Sequence, residues 1–433
     1  VVLTLDWKSV IRDLLRDRQR WGKVLSSPFS YRLLGGVLKM GRKSFSWQST
    51  YLLGRFALQA TENAYSRKVP VVWTSAFFPV EIAWSLGLCP FSPEIAAAFI
   101  AALGFGAEML SAGEEAGYSR DICSFHRCIA GAAHSDCLPR PVALLASTHL
   151  CDGAPLLFQN MAEYYGAPFY TLDVPYHPLP EAEAYVAGQL EEIWRSLAEL
   201  AGQKPDYARL AEAIRFSNAF RENMEAVERM RQQVPAPISG NIMLGFIYLF
   251  FLGQGSREAE EISACLRREV AAKIGENHPT DQRERFRILW LHLKPYYSGE
   301  LMDFVEKEMG AILACEEMSH VYWPPLDPEQ PFLSLARKVM ANFDYKPLDY
   351  RIRTVKDLAR KFRVDGVVHF SHHGCRQSTG GSMLLKAALQ EAGVPVLLLE
   401  GDCLDGRAET GAGMLTRLQA FFEVLEERRR LGA

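Results

Sequence analysis

The sequence predicts an α/β fold: two Rossmann-like parallel-sheet lobes facing a central cleft, with a helical N-terminal arm and a helical connector. Three observations carry it. Two separate stretches alternate short apolar runs with helical patterns, as parallel strands joined by crossover helices do. A long, charged, periodic region separates them and reads as helix. The chain has 433 residues, too many for one hydrophobic core. The expected boundaries are an arm over 1–66, a first lobe over 67–200, a connector over 201–280 and a second lobe over 281–433.

In the arm, Trp7, Val10, Ile11, Leu14 and Leu15 recur at helical spacing, and Leu52, Leu53, Phe56, Ala57 and Ala60 do likewise. Such an arm packs on the body or on a second copy, with Trp7, Leu14 and Trp21 as contacts. The first lobe opens with a strand over 71–74 and a short helix ending at Gly87. A small-residue helical region over 96–112 is interrupted by Gly104 and Gly106. The run 142–146 is the clearest buried strand of this half. A helix over 155–165 leads to a second parallel strand over 168–172. Residues 180–230 read as helical, and QQVPAPISG after them is the strongest break in the chain. The second lobe shows strands over 286–291, 311–314, 367–370 and 394–399. Helices over 335–341, 355–362, 383–392 and 414–426 fill the gaps.

Composition excludes several classes. The formal net charge of −3 gives no electrostatic case for nucleic acid or an anionic membrane. The longest apolar run, 242–252, is far short of the roughly 20 residues of a spanning helix. The first residues carry charge throughout and lack a signal-peptide core, so a cytoplasmic protein is expected. Disulfides are rare there, and thiols point to metal or catalysis, with buried free cysteine as the plain alternative.

The nine cysteines fall into a pattern. Four lie between Asp121 and Asp152: Cys123, Cys128, Cys137 and Cys151. Cys151, Cys315, Cys375 and Cys403 each follow an expected strand at its carboxyl end, where open parallel sheets bind ligands. If those edges face inward, the thiols meet in one cleft between the lobes, as an iron–sulfur cluster requires. There is no CxxC pair. Zinc is the main rival, with Cys375, His372 and His373 as the one close group. Phosphate is another, at Ser378-Thr379-Gly380-Gly381-Ser382. Neither GxxxxGK[ST] nor GxGxxG occurs, so no nucleotide site is expected.

Five phrases occur in order: PVEIAWSLG (79–87), CSFHR (123–127), STHLCD (147–152), HHGCRQS (372–378) and LLLEGD (397–402). Together they resemble the 2-hydroxyacyl-CoA dehydratase and benzoyl-CoA reductase family, from about residue 66 to the C-terminus. The resemblance implies a four-iron cluster bound through Cys123, Cys151 and Cys375. It also implies a separate ATP-hydrolysing iron–sulfur activator that delivers low-potential electrons singly. The surplus thiols Cys128, Cys137, Cys315 and Cys403 resemble the double-cubane branch, a homodimeric group whose six cysteines hold an 8Fe–9S cluster. The expectation is therefore a homodimeric reductase of small molecules such as acetylene, azide or hydrazine, with Cys128, Cys137 and Cys315 as the second ligand set and Cys403 in reserve. The alternatives are one subunit of an acyl-CoA dehydratase or dearomatising reductase with a single 4Fe–4S cluster, or an electron carrier.

Protons must then come from nearby groups. His126, His372 and the weaker candidate Glu81 are the catalytic candidates, histidine titrating near neutral pH. Glu81 has the plainer role of a first-turn carboxylate complementing a helix dipole. His373 is expected to tune the cluster through a hydrogen bond to sulfur. Arg127 and Arg376 are expected to offset cluster charge, or else to be ordinary salt-bridged arginines.

Overall fold

The computed structural model describes residues 26–177, 179–275, 284–343, 345–407 and 411–432. The arm contacts expected at Trp7, Leu14 and Trp21, and the helical spacing at Val10, Ile11 and Leu15, lie outside the described residues.

Two four-stranded, wholly parallel sheets form the two lobes. The first contains β1 (Val71–Thr74), β2 (Cys89–Phe91), β3 (Ala143–Ser147) and β4 (Phe169–Leu172), in the order β2-β1-β3-β4. The second contains β5 (Phe286–Leu291), β6 (Ala311–Glu316), β7 (Gly366–His372) and β8 (Val396–Gly401), in the order β6-β5-β7-β8. Both lobes thus have the same winding. The central strands are buried at every residue, which is why they read as unbroken apolar runs. The edge strands β4 and β8 are partly open.

In each sheet the strand order reverses once, between β1 and β3 and between β5 and β7. A crevice opens beyond the carboxyl ends at such a point. The chain leaves β1 into residues 75–77, β3 into 148–151, β5 into 292–296 and β7 into 373–375. All four segments contribute to one cavity. Two of them carry a non-glycine residue in the left-handed region, Phe77 at φ 56° and His292 at φ 66°. That conformation is uncommon for such side chains and costs on the order of 1–3 kcal/mol.

The break expected in 96–112 is present: the region is two helices, Pro93–Ala102 and Gly106–Glu115, with Gly104 at φ 92° turning the chain between them. The structure departs from the sequence reading in three places. β2 is an additional strand; it is three residues with a central proline, tolerated because it lies at the sheet edge. Residues 180–230 are two helices, Ala182–Leu200 and Tyr207–Met230, separated at Gly202 and recapped by Asp206, whose carboxylate accepts from the Ala208 and Arg209 N–H groups. Third, β6 runs on to Glu316, so Cys315 lies inside it, paired with Leu289, rather than past its end. A register shift at Ile288/Leu289 lets the pairing continue.

Helices Tyr207–Met230, Gly240–Tyr248 and Arg257–Gly275 stand between the two sheets in sequence. Helix Gln48–Ser66 docks through Tyr51, Leu53 and Phe56. Its start is capped from a distance: the N–H groups of Gln48 and Ser49 donate to the Glu269 carboxylate. No helix among the described residues is long and apolar enough to cross a membrane.

Candidate active site

Cys123, Cys151 and Cys375 line one cavity between the lobes, of about 160 Å³. Each sits where a helix begins. Cys123 caps helix Ser124–His134, Cys375 caps the single turn Arg376–Thr379, and Cys151 lies two residues before helix Gly153–Tyr165. The Phe125 and His126 N–H groups donate to the Cys123 sulfur, and those of Gly153 and Ala154 to the Cys151 sulfur. Such donors favour a thiolate. Burial works against them and pushes both thiols up, and at Cys123 the nearby Cys375 and Cys151 add to it. The same three cysteines also border a second, outer cleft of about 970 Å³, so the thiols stand between the two.

Two glycines make this approach possible. A Cβ on Gly374 would stand 2.5 Å from the Cys123 Cα, and one on Gly153 would stand 2.7 Å from the His126 ring. The Gly374 contact brings the segment after β7 of one lobe onto the first cysteine of the other. Ser124 makes a further link between lobes, donating to Asp402 Oδ1 at 2.6 Å.

The histidines divide by position. His126 is buried and borders both cavities. Burial, helped by His372, lowers its pKa to about 4, so the ring is neutral. His372, the last residue of β7, places Nε2 3.5 Å from the Cys123 sulfur. Its Nδ1 lies 3.3 Å from the Cys403 nitrogen; the tautomer that accepts the Cys403 N–H carries its proton on Nε2, toward sulfur. His373 is exposed and does not line either cavity. The sulfur-directed N–H is thus on His372, where the sequence reading put it on His373. Arg376 is exposed at the outer cleft. Arg127 is buried away from both cavities and pairs with Glu114 and Asp405, each at 3.2 Å. It takes the salt-bridge alternative and ties the first lobe to the second.

Glu81 is fully buried but does not line the cavity. Its Oε1 accepts from Ser217 Oγ at 2.7 Å and pairs with Lys338 Nζ, which also sits 5.4 Å from the Trp323 ring. Burial pulls the Lys338 ammonium below its ordinary value. A carboxylate that short-range reasoning placed at a helix dipole is one half of a buried ion pair between lobes. Lys338→Met leaves the Glu81 charge unpaired and should cost about 3–5 kcal/mol. Urea unfolding measures this, and the Lys338→Met/Glu81→Leu double variant should recover most of the loss. A single variant as stable as the parent would contradict it.

Two residues missed in the sequence belong to the cavity wall. Glu94 is the second residue of helix Pro93–Ala102; it accepts from the Ala76 N–H at 3.2 Å and the Ser92 hydroxyl at 2.9 Å. Burial outweighs these bonds and raises its pKa to about 7. The Ser-Pro-Glu start of a helix after a strand was the available signal. His292 lines the cavity just past β5, stacked 6.4 Å from His372, with a buried Nδ1 that has no partner. Its position at a strand end was legible.

The surplus thiols lie elsewhere. Cys128 and Cys137 are packed in the main hydrophobic core. Cys315 lies in a separate core with Leu289, Val355 and Phe362. Cys403 is fully buried beyond β8. None of the four lines the cavity. Among the described residues no three His, Cys, Asp or Glu side chains converge on a single-ion site.

The model of the family described as 2-hydroxyglutaryl-CoA dehydratase, D-component, matches residues 75–425. The chain belongs to this family. The (R)-2-hydroxyisocaproyl-CoA dehydratase alpha subunit of Clostridioides difficile is 25% identical, over 85% of this chain and 94% of the relative. The (R)-phenyllactyl-CoA dehydratase alpha subunit of Clostridium sporogenes is 24% identical, over 88% and 95%. One subunit of the benzoyl-CoA reductase of Thauera aromatica is 22% identical, over 74% and 80%. These relatives correct the expectation of a small-molecule reductase with a double-cubane cluster. They are subunits of acyl-CoA dehydratases and of an acyl-CoA reductase, and the burial of Cys128, Cys137 and Cys315 away from the cavity agrees with the correction.

Proposed function

We propose that this chain is a subunit of a 2-hydroxyacyl-CoA dehydratase and that Cys123, Cys151 and Cys375 hold a single 4Fe–4S cluster. The observation that carries the reading is the presence of three thiols, each at a helix start, around one cavity between the lobes. The donor set fits: soft thiolates are what iron–sulfur clusters take, and the backbone N–H groups aimed at two of the sulfurs suit an anionic group. When bound, the cluster supplies single low-potential electrons and a Lewis-acidic iron.

The reaction removes water from a 2-hydroxyacyl thioester. The C2–O and C3–H bonds break, a C2=C3 double bond forms, and no electron is consumed overall. The chain's own groups have separable tasks. The apolar wall excludes water from the reacting carbons. Glu94, half protonated near neutral pH, donates a proton to the departing hydroxyl, and the carboxylate left behind takes the C3 proton, so water leaves with no net change in the protonation of the chain. His372 donates its Nε2–H to the Cys123 sulfur and so lowers the electron density there. Neutral His126 stands as a hydrogen-bond donor between the two cavities.

The partners are a homologous second subunit and an ATP-hydrolysing iron–sulfur activator. The test is anaerobic reconstitution of the chain with both, ATP and a 2-hydroxyacyl-CoA, following the enoyl-CoA product. Product should appear only in the complete mixture. A complete mixture that yields none, with about four irons bound per chain, would reject the dehydratase reading.

A further inference from the structure

Of the three thiols, Cys375 has the shortest helix behind it. Cys123 and Cys151 stand at helices of 11 and 13 residues, whereas Cys375 opens the single turn Arg376–Thr379. One turn fixes more backbone than its own hydrogen bonds repay, so it persists only where other elements hold it.

A buried ion pair outside the cavity wall does so. Glu317 and Arg351 are almost wholly buried, and the guanidinium meets both carboxylate oxygens, Nε to Oε1 at 2.7 Å and Nη2 to Oε2 at 2.8 Å. The remaining nitrogen, Nη1, donates to the Ser378 carbonyl at 3.3 Å. Ser378 belongs to the Cys375 turn, and its hydroxyl lies 3.3 Å from His369 Nε2. Helix Leu348–Lys361, which carries Arg351, meets this segment again, since a Cβ on Gly381 would stand 2.5 Å from Leu348 Cδ1. Glu317 Oε2 also accepts from the His292 N–H at 3.2 Å. His292 is held in the left-handed region, and its ring stacks on His372, whose Nε2 faces the Cys123 sulfur. One pair thus grips the segments that follow β5 and β7.

We propose, on the basis of the cluster reading, that Arg351 and Glu317 are positioning residues: the pair sets the Cys375 turn against the two thiols of the first lobe, and with it the retention and the electronic signature of the cluster. Groups that orient metal ligands from behind govern affinity in this way. The task needs a guanidinium, whose planar fork serves a carboxylate and a carbonyl together; an ammonium is a point charge. The preceding residue supplies a matched contrast. Glu316 meets Arg231 through the same two-point fork, at 2.8 and 2.7 Å and equally buried. Arg231 reaches the Leu313 carbonyl of β6 instead, and neither Arg231 nor Glu316 lines the inner cavity or the outer cleft.

The experiment compares Arg351→Lys with Arg231→Lys in the full chain, reconstituted anaerobically with iron and sulfide. Both should lose stability in urea. Arg351→Lys alone should release iron to a chelator faster, by about 10–100-fold, and alone shift the EPR signature of the reduced cluster. Before reconstitution, the Thr379 and Gly380 amides, bonded to the Cys375 and Arg376 carbonyls at 3.0 and 2.8 Å, should already exchange faster in Arg351→Lys, by at least about tenfold. Glu317→Gln, which keeps an oxygen for the His292 N–H and loses the charge, should move the same readouts the same way. Parent-like iron release, EPR and amide exchange in Arg351→Lys overturns the proposal. So does an equal change in Arg231→Lys, which would mark a general loss of stability. A parent chain that takes up no cluster overturns the cluster reading and the proposal together. None of these readouts uses dehydration, so they separate this proposal from the choice of reaction.

Discussion

Serine in place of Cys123, Cys151 or Cys375 is expected to abolish activity and to lower bound iron from about four per chain to a small fraction of that. The reason is local. A serine hydroxyl is a hard, protonated donor in a site whose other donors are soft sulfur. Two of the positions are also fixed by their surroundings: Cys123 by the close approach of Gly374, and Cys123 and Cys151 by backbone N–H groups directed at their sulfurs. No other thiol lines the cavity to serve as a substitute: Cys128, Cys137, Cys315 and Cys403 are packed in hydrophobic cores. The control is equally informative. Cys128→Ala, Cys137→Ala and Cys315→Ala should each retain iron and the brown absorbance, with a modest loss in stability. Iron and acid-labile sulfide, counted anaerobically, check both halves. Full iron in all three serine variants, or loss of iron in the Cys315→Ala variant, would overturn the assignment.

The fold was legible where burial is two-sided. β1, β3, β5 and β7 are central strands, so their apolar runs were continuous and their limits came within two residues. From them the rule of strand ends located Cys151 and Cys375 at the cavity. That rule failed for Cys315, because whether a strand stops or continues depends on a partner that the local sequence does not name. A register shift in β5 keeps β6 paired for two more residues and turns the thiol into a different core. Cys128 shows the reverse case. Five residues of helix rotate it about 140° from Cys123, so helical geometry alone argued against a shared ligand role. The structure buries it completely in the main core.

Residue pairs far apart in sequence were the least legible. Glu81 and Lys338 meet across 257 positions, and nothing near either residue announces the other. The choice between His372 and His373 was likewise open in the sequence, where both precede Cys375. The fold separates them: His372, the last residue of β7, is buried beside the Cys123 sulfur, and His373, one residue past the strand, is exposed. The assignment of chemistry erred for a related reason. The sequence reading makes the surplus thiols Cys128, Cys137 and Cys315 a second ligand set, whereas burial in a core and exposure to a cavity are properties of the folded chain.

Glu94→Gln is expected to lower kcat by about 10²–10⁴-fold, the usual span for a lost proton donor. Its two bonds at the helix start go to different oxygens, the Ala76 N–H to Oε1 and the Ser92 hydroxyl to Oε2; a glutamine oxygen keeps the first, and its amide N–H can donate to the Ser92 hydroxyl once that hydroxyl turns. The parent enzyme should lose activity as pH rises through about 7, where Glu94 gives up the proton it donates. In the variant that limb should vanish. Stability supplies an independent readout with the opposite benefit. The folded-state pKa lies above the ordinary carboxyl value, so the folded protein binds the extra proton between those two values. The favourable contribution is fully present below the ordinary value and is lost as pH rises to about 7. Above that the ionised carboxylate, partly open to the cavity, costs on the order of 1–3 kcal/mol. Glutamine does not ionise. The variant should therefore melt near the parent temperature at acid pH and above it at pH near 8, while remaining inactive. A variant with parent kcat at every pH would remove Glu94 from the chemistry, and a melting difference that does not grow with pH would show that its carboxyl is not held protonated by burial.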